Sequence, residues 1–224
     1  MPMRSRWWPL WITLLVLALL AIKALNKRDD LSGPIAFGVL IIVVSAGFLV
    51  ARRRFRRRLR RWAAHAEWTP VDPDEQQWPW LPHRQGGSAV RRAWRRDVDG
   101  LPVTFGELRW KGNAFAGLVV QRKGSGAVVV IRLPQSQPPM ALHHRFKPVG
   151  DSFRLRQPAL LDAYLAGDIG TWTVNGDELF TVEARDVWID PEIADHAVRR
   201  ALRVVRLLDL GPDTTTSVAP GPGE

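Results

Sequence analysis

Residues 89–133 read AVRRAWRRDVDGLPVTFGELRWKGNAFAGLVVQRKGSGAVVVIRL, and the succession of β-formers and turn pairs in this stretch decides the fold. Segments 89–98 and 102–110 flank Asp99-Gly100, a pair suited to a two-residue hairpin because both positions tolerate positive φ. Lys111-Gly112-Asn113 predicts a second turn before a strand over 115–122. Lys123-Gly124-Ser125-Gly126 predicts a third, leading into 127–133. The run Val128-Val129-Val130-Ile131 has no polar alternation, which marks a central strand covered on both faces. The expectation is an antiparallel meander.

Working towards the C-terminus, residues 152–156 suggest a short strand, and residues 158–166 a short helix with Pro158 at its first position. Asn175-Gly176 predicts a last hairpin between 171–174 and 178–184. The closing helix has the clearest signature. Asp190 caps it, Pro191 occupies the first helical position, and Glu192 complements the helix dipole. Ile193, Ala197, Val198, Ala201, Val204, Val205 and Leu208 form an apolar face, with Arg199, Arg200, Arg203 and Arg206 opposite. That face must cover a sheet, so the fold class is α+β: an antiparallel β-meander with a long C-terminal helix packed on it. Gly211-Pro212 stops the helix. The tail, 211–224, is too polar and too rich in Pro and Gly to fold alone.

Working towards the N-terminus, residues 67–87 form a connector dense in proline. Its Trp68, Trp78 and Trp80 are expected to pack on the domain, because indole is costly to leave in water. Residues 1–66 read as a membrane anchor. Two apolar runs, 7–25 and 34–51, each approach the ~20 residues that span ~30 Å of hydrocarbon as a helix. Trp7, Trp8 and Trp11 suit the interfacial belt, and Lys23 near the other end can snorkel. Residues 26–33 suffice only for a tight hairpin. Arg4 and Arg6 before an apolar stretch also fit a secretory signal, but Ala21-Ile22-Lys23-Ala24-Leu25-Asn26 lacks a small-x-small cleavage site. The second run would stop transfer in either case.

Eight arginines follow the second run: Arg52, Arg53, Arg54, Arg56, Arg57, Arg58, Arg60 and Arg61. Positive charge beside a span is retained in the cytoplasm, so both termini and the whole C-terminal domain are expected there, in a multi-pass protein of the cell membrane. Phe55, Leu59, Trp62 and Ala66 recur at helical spacing, which predicts a juxtamembrane helix over 52–66. Its apolar stripe has three candidate uses: lying in the lipid interface, packing on the domain, or forming the seam of a homodimer. The lipid interface is preferred, giving Arg52, Arg53, Arg54, Phe55, Arg56, Arg57, Arg58, Leu59, Arg60, Arg61 and Trp62 as candidate contacts with anionic lipid.

The net charge of +10 is unevenly distributed. Residues 1–61 hold 13 basic and two acidic side chains, and the remainder holds 19 basic and 20 acidic. The basicity belongs to the anchor, which argues against nucleic acid as a partner of the domain.

The residues offer little catalytic chemistry. The absence of cysteine excludes disulfides, thiol catalysis and cysteine-ligated metals. Lys123-Gly124-Ser125-Gly126 joins two expected strands with its lysine first, whereas a phosphate loop needs glycines between strand and helix and a lysine last. His143-His144 lacks the spacing and acidic neighbours of a metal site. His65, His83 and His196 stand alone. No Gly-x-Ser-x-Gly elbow occurs. The acid pairs Asp72/Asp74 and Asp177/Glu178 fall in connector and turn contexts. Arg91-Arg92 and Arg95-Arg96 read as edge protection on a strand. No catalytic residue, cofactor or metal is expected.

The stretches Trp68-Thr69-Pro70, Pro79-Trp80, Arg91 through Asp99-Gly100-Leu101-Pro102-Val103, VVVIRLP (128–134), Phe153-Arg154-Leu155 and Gly176-Asp177-Glu178-Leu179 together resemble a group of small actinobacterial two-span membrane proteins with a cytosolic α+β domain. The resemblance covers about residues 66–210, excepting 111–126. It implies architecture only, since the group carries no assigned activity or catalytic residues. The functional expectation is a non-enzymatic protein-interaction module at the cytoplasmic face of the membrane. The alternative is a domain binding a lipid headgroup or small ligand, which a pleckstrin-homology-like arrangement of seven strands and a capping helix would support.

Overall fold

The computed structural model describes residues 32–81, 86–185 and 189–212, with side chains in the first helix from Ile41 onward apart from Arg52. The expected first span, the start of the loop after it, His83 and the tail beyond Pro212 lie outside the described residues. The chain divides into two compact units, Met1–Arg57 and Arg58–Glu224.

Helix α1 (Ser32–His65) contains both the second apolar run and the arginine block. Among the described residues no helix is long and apolar enough to cross a membrane. Counted from Ile41, the first described side chain, the uncharged part of α1 lasts 11 residues before Arg52. In this first unit Ile41, Ile42, Val43, Leu49 and Val50 are all exposed.

The second unit begins inside α1, at Arg58. Leu59 is completely buried in its core and Ala63 nearly so, with Trp62 and Ala66 packed alongside. The helix ends where Glu67 takes φ 58°, which lets the Trp68 amide donate back to the Ala63 carbonyl at 2.8 Å. A left-handed residue at this position satisfies carbonyls that the helix terminus would otherwise leave unpaired.

Among the described residues six strands follow: β1 (Thr69–Val71), β2 (Gly86–Val98), β3 (Leu101–Gly112), β4 (Lys123–His143), β5 (Lys147–Val149) and β6 (Trp172–Ala184). They form one antiparallel sheet in the order β1-β2-β3-β4-β5, with β6 also paired to β4. Helix α2 (Pro158–Ala166) lies between β5 and β6, and α3 (Pro191–Leu207) closes the domain. Among the described residues there are six strands in this order, where the pleckstrin-homology-like alternative expects seven.

The sheet is covered on both faces, as the Val128–Ile131 run requires. Leu101, Val103, Phe105, Val129, Ile131 and Leu179 point to one side and meet α3 and the end of α1. Leu108, Trp110, Val128, Val130, Phe180 and Val182 point to the other, where Trp78 and Trp80 of the connector and Phe115 and Leu118 cover them. The three connector tryptophans are therefore buried, Trp68 on the first face and the other two on the second. Trp78 donates to the Pro73 carbonyl at 2.9 Å and Trp80 to Ser88 Oγ at 3.0 Å, so both indole N–H groups on the second face have a partner. The described part of the connector up to Leu81 covers the sheet, with β1 as its own strand.

Four local expectations are corrected. Residues 115–122 form no strand; β3 pairs directly with β4, from Lys111 opposite Lys123 onward, and the intervening residues make hydrogen-bonded turns that bury Phe115 and Leu118. Lys123-Gly124-Ser125-Gly126 is the start of β4 and not a turn. Its glycines serve close approach: a Cβ on Gly124 would stand 2.6 Å from the Trp110 ring, and one on Gly126 would overlap the Glu183 carbonyl oxygen. Asn175-Gly176 makes no hairpin, because β6 runs straight through it. Gly176, at φ 61°, sits opposite Gln137 where the β4–β6 register shifts, so the left-handed residue serves a bulge. The inserted residues of β4 include Pro134, Pro138 and Pro139, which have no N–H to give to a ladder. Finally, 153–156 is a 3₁₀ turn with Ser152 accepting from the Arg154 amide, not a strand.

Helix α2 begins with Pro158 and ends on Gly167 at φ 79°, and α3 begins as expected, with Asp190 Oδ1 accepting from the Ile193 amide at 2.9 Å. Its buried residues are Ala194, Ala197, Val198, Ala201, Leu202, Val204 and Val205.

Candidate functional site

The sequence-predicted site falls on α1, and its residues part company there. Arg53, Arg54, Arg56, Arg57, Arg58, Arg60 and Arg61 are exposed, and Phe55 is half-buried. Leu59 and Trp62, expected at a lipid surface, pack on the protein. Trp62 stacks on Trp68 at 5.5 Å between ring centroids and meets Phe105 edge-on at 6.0 Å, while Trp94 stacks on the same Phe105. Its indole N–H donates to Asp195 on α3 at 3.0 Å. The reason is geometric: Leu59 and Trp62 lie on the apolar face of the last turns of α1, which packs on the aromatic cluster of the sheet.

A second constellation escaped the sequence. The register aligns Arg92, Glu107, Ala127 and Glu183 in one row across β2, β3, β4 and β6. By strand alternation the row lies on the face that α3 covers, immediately beyond the apolar row of Trp94, Phe105 and Val129. Arg92 grips Glu107 through Nε at 3.0 Å and Nη2 at 2.6 Å. Glu183 accepts from Arg185 Nη2 at 2.7 Å and from Arg200 Nη1 of α3 at 2.9 Å, with His196 Nδ1 at 4.0 Å. Arg200 thus borders the buried face of α3 and does not lie opposite it. The next row carries Arg109, Ser125 and Arg185; the Arg185 amide donates to the Ser125 carbonyl at 2.8 Å and the Ser125 hydroxyl to the Arg185 carbonyl at 3.3 Å. The available signal was a charge at the core-facing position of two strands, Glu107 after Val103 and Phe105, and Glu183 after Leu179 and Thr181.

This arrangement suits binding better than acid–base catalysis. Each carboxylate is already engaged by a guanidinium, and charge-assisted forks of this kind hold geometry firmly. Of the arginines on β2 expected to guard an edge, Arg92 is in the row, and Arg95 donates to Thr104 at 3.4 Å and to Gln76 at 2.5 Å. Strand β2 is interior, flanked by β1 and β3.

The remaining chemical candidates lie apart in the fold. His143 rests against Gly117, where an added Cβ would come within 2.5 Å of the ring, and burial followed by the nearby Lys147 charge lowers its pKa. His144 is exposed. Among the described residues no group of three or more His, Asp or Glu side chains is placed to hold a metal ion. Asp177 and Glu178 lie within β6 rather than a turn, and Asp177 pairs with Arg132 at 2.9 Å.

Burial, then the Asp177 charge, raise the Glu178 pKa above its ordinary 4.5, with Arg132 opposing. A carboxylate whose folded-state pKa is raised binds more protons folded than unfolded, so it costs stability above that pKa and the cost fades as pH falls towards 4.5. Glu178→Gln is therefore expected to raise the unfolding midpoint at pH 7, and the advantage should shrink as pH falls towards 4.5 and be gone below it. Parallel denaturant curves for the two proteins across that range check it; an advantage that grows on acidification would contradict it.

No family model, curated protein or solved structure matches the chain. The geometry alone points to function.

Proposed function

We propose that the protein is a membrane-anchored, non-enzymatic interaction module whose α+β domain is held at the cytoplasmic face by the basic helix α1, with both termini cytoplasmic. The observation that carries this reading is that the helix bearing the arginine block does not end in a loose tether. It finishes inside the domain core through Leu59, Trp62 and Ala63. The uncharged stretch 34–51 belongs to the same helix, at ~1.5 Å per residue it reaches about 27 Å, and its described apolar side chains are exposed as a lipid-facing surface would be. The arginines at its end favour retention on the cytoplasmic side and contact with anionic lipid. The domain also shows apolar surface suited to a protein partner: Phe153 and Leu165 are 71% and 72% exposed, and Leu161 lies one turn before Leu165 on α2.

The lipid contact is tested with a peptide of residues 51–66 and vesicles of neutral or anionic lipid. Each arginine near an anionic surface contributes about 1 kcal/mol, so Arg53→Gln with Arg57→Gln is expected to weaken binding to anionic vesicles by about 2 kcal/mol, roughly thirtyfold. Equal binding to neutral and anionic vesicles would leave the arginines as a topology signal alone. The partner is tested by crosslinking in membranes: Leu165→Glu with Phe153→Ser should remove a reproducible adduct without changing the unfolding midpoint.

A further inference from the structure

We propose that the exposed face of α2 pairs with α2 of a second copy of this chain, the two helices running antiparallel about a twofold axis near Ala163. This pairing rests on the interaction-module reading and names the partner of its apolar surface.

Helix α2 (PALLDAYLA) is apolar almost all round, with Asp162 its only charged residue. One side is spent on the domain core, through Leu160 and Ala163 with Tyr164 packed alongside. The opposite side carries Pro158, Ala159, Leu161, Leu165 and Ala166, all exposed, and Leu165 is 72% so. A helix without a polar face is ordinarily covered on every side. Leu161 and Leu165, one turn apart, form a ridge, and the small Ala159 and Ala166 on the same side let a second helix come close.

The charges at the two ends of α2 identify the cover. Arg156 stands just before the helix and Asp168 just after it, both exposed, and neither belongs to an ion pair among the described residues. Each has the wrong sign for its end, because the N-terminus of a helix is partially positive and the C-terminus partially negative. Nothing local corrects this: the first turn has no acid, the last turn has no base, and Gln157 makes no side-chain cap. An antiparallel second copy corrects both ends at once. The partner's Asp168 comes to the N-terminus of α2 beside Arg156, and the partner's Arg156 comes to the C-terminus beside Asp168. Twofold symmetry makes each contact twice and sets Leu161 against the partner's Leu165. The C-terminal end is open to such an approach, since a Cβ added at Gly167 would meet nothing within 4 Å. Anionic lipid suits this face less well, because the charges on and beside α2, Arg156, Asp162 and Asp168, sum to an acidic balance.

Two turns of helix bury less than the roughly 800 Å² per copy of a standard interface. The pairing is therefore expected between copies confined to one membrane, where effective concentration is high.

The test uses the full chain in washed membranes of expressing cells. Asp162 lies at the middle of the exposed face, close to the axis, so Asp162→Cys puts one thiol per copy in an otherwise cysteine-free protein. Treatment with a short bismaleimide is expected to give an adduct of dimer mass, and Val120→Cys, 71% exposed elsewhere, to give none. Adding Leu165→Glu should abolish the adduct without moving the unfolding midpoint. Adding Arg156→Asp places like charges at both ends and should cut the adduct about fivefold, and further adding Asp168→Arg should restore it. Rescue by the double reversal is a result that a local structural role for either residue would not give. A missing dimer adduct, equal adducts from the two cysteine positions, or indifference to Leu165→Glu would overturn the pairing. An adduct with a different protein would also overturn it and leave the interaction module standing, whereas release of the chain by alkaline carbonate would instead remove the membrane reading.

Discussion

Replacing Gly126 with alanine is expected to destabilise the domain by about 3 kcal/mol or more, the upper range for forcing atoms into a filled space. The backbone of β4 and β6 approaches so closely here that the new Cβ would overlap the Glu183 carbonyl oxygen and stand 2.9 Å from its carbon and 3.1 Å from the Ala184 Cα. These are backbone atoms held by the ladder, so no rotamer change relieves the contact. Strand β6 must move away, loosening Gly126–Ala184 and Ala127–Glu183 pairing and disturbing the contact of Glu183 with Arg200 on α3. For a unit of this size the unfolding midpoint should fall by about 10 °C. Gly87→Ala is the control, because its Cβ would find its nearest neighbour at 4.0 Å, and a change within about 0.5 kcal/mol is expected. Equal midpoints for wild type and Gly126→Ala would show that the two strands are not this close.

Leu59→Ala is expected to cost about 3 kcal/mol, within the range for removing a buried leucine from a core that cannot fully collapse. Leu59 has no exposed surface and lies in the same apolar cluster as Phe105, Trp68 and Ala197. The adjacent Arg60 is exposed, so Arg60→Ala should change stability by less than about 0.5 kcal/mol. The pair of variants separates the uses of the helical stripe. Packing on the domain predicts a lowered unfolding midpoint for Leu59→Ala with unchanged binding to vesicles. A stripe lying in lipid predicts the reverse.

The sequence signals that proved reliable were those in which one physical cause had one structural answer. Asp190 and Pro191 can begin α3 in only one way, and Asp99-Gly100 turns β2 into β3 with Val98 opposite Leu101. The unbroken Val128–Ile131 run required cover on both faces, and the connector tryptophans supplied half of it. Glycine was ambiguous because its missing side chain serves two purposes. At Gly124 and Gly126 it admits a ring and a neighbouring backbone, and at Gly176 it admits a bulge, yet all three resemble turn residues in the sequence. The stripe of Phe55, Leu59 and Trp62 was visible as a stripe, but the partner of Trp62 is an aromatic cluster assembled from Trp68, Trp94 and Phe105, most of it distant in the chain. The charged row was hidden for the same reason. Arg92, Glu107, Glu183 and Arg200 come together only through strand register and the crossing of α3, neither of which local periodicity contains.

The proposed place of the domain, fixed to the inner membrane surface by α1, is tested most directly with a single introduced thiol. The chain has no cysteine, so Val120→Cys at an exposed position outside the sheet gives one reactive group in an otherwise silent protein. Cells expressing the full chain are treated with a membrane-impermeant maleimide before and after the membranes are opened, and the membrane fraction is washed with alkaline carbonate. The protein is expected to stay with the membranes through the wash, and the introduced thiol to be labelled only once they are opened. Labelling in intact cells, or release of the protein by carbonate, would contradict it.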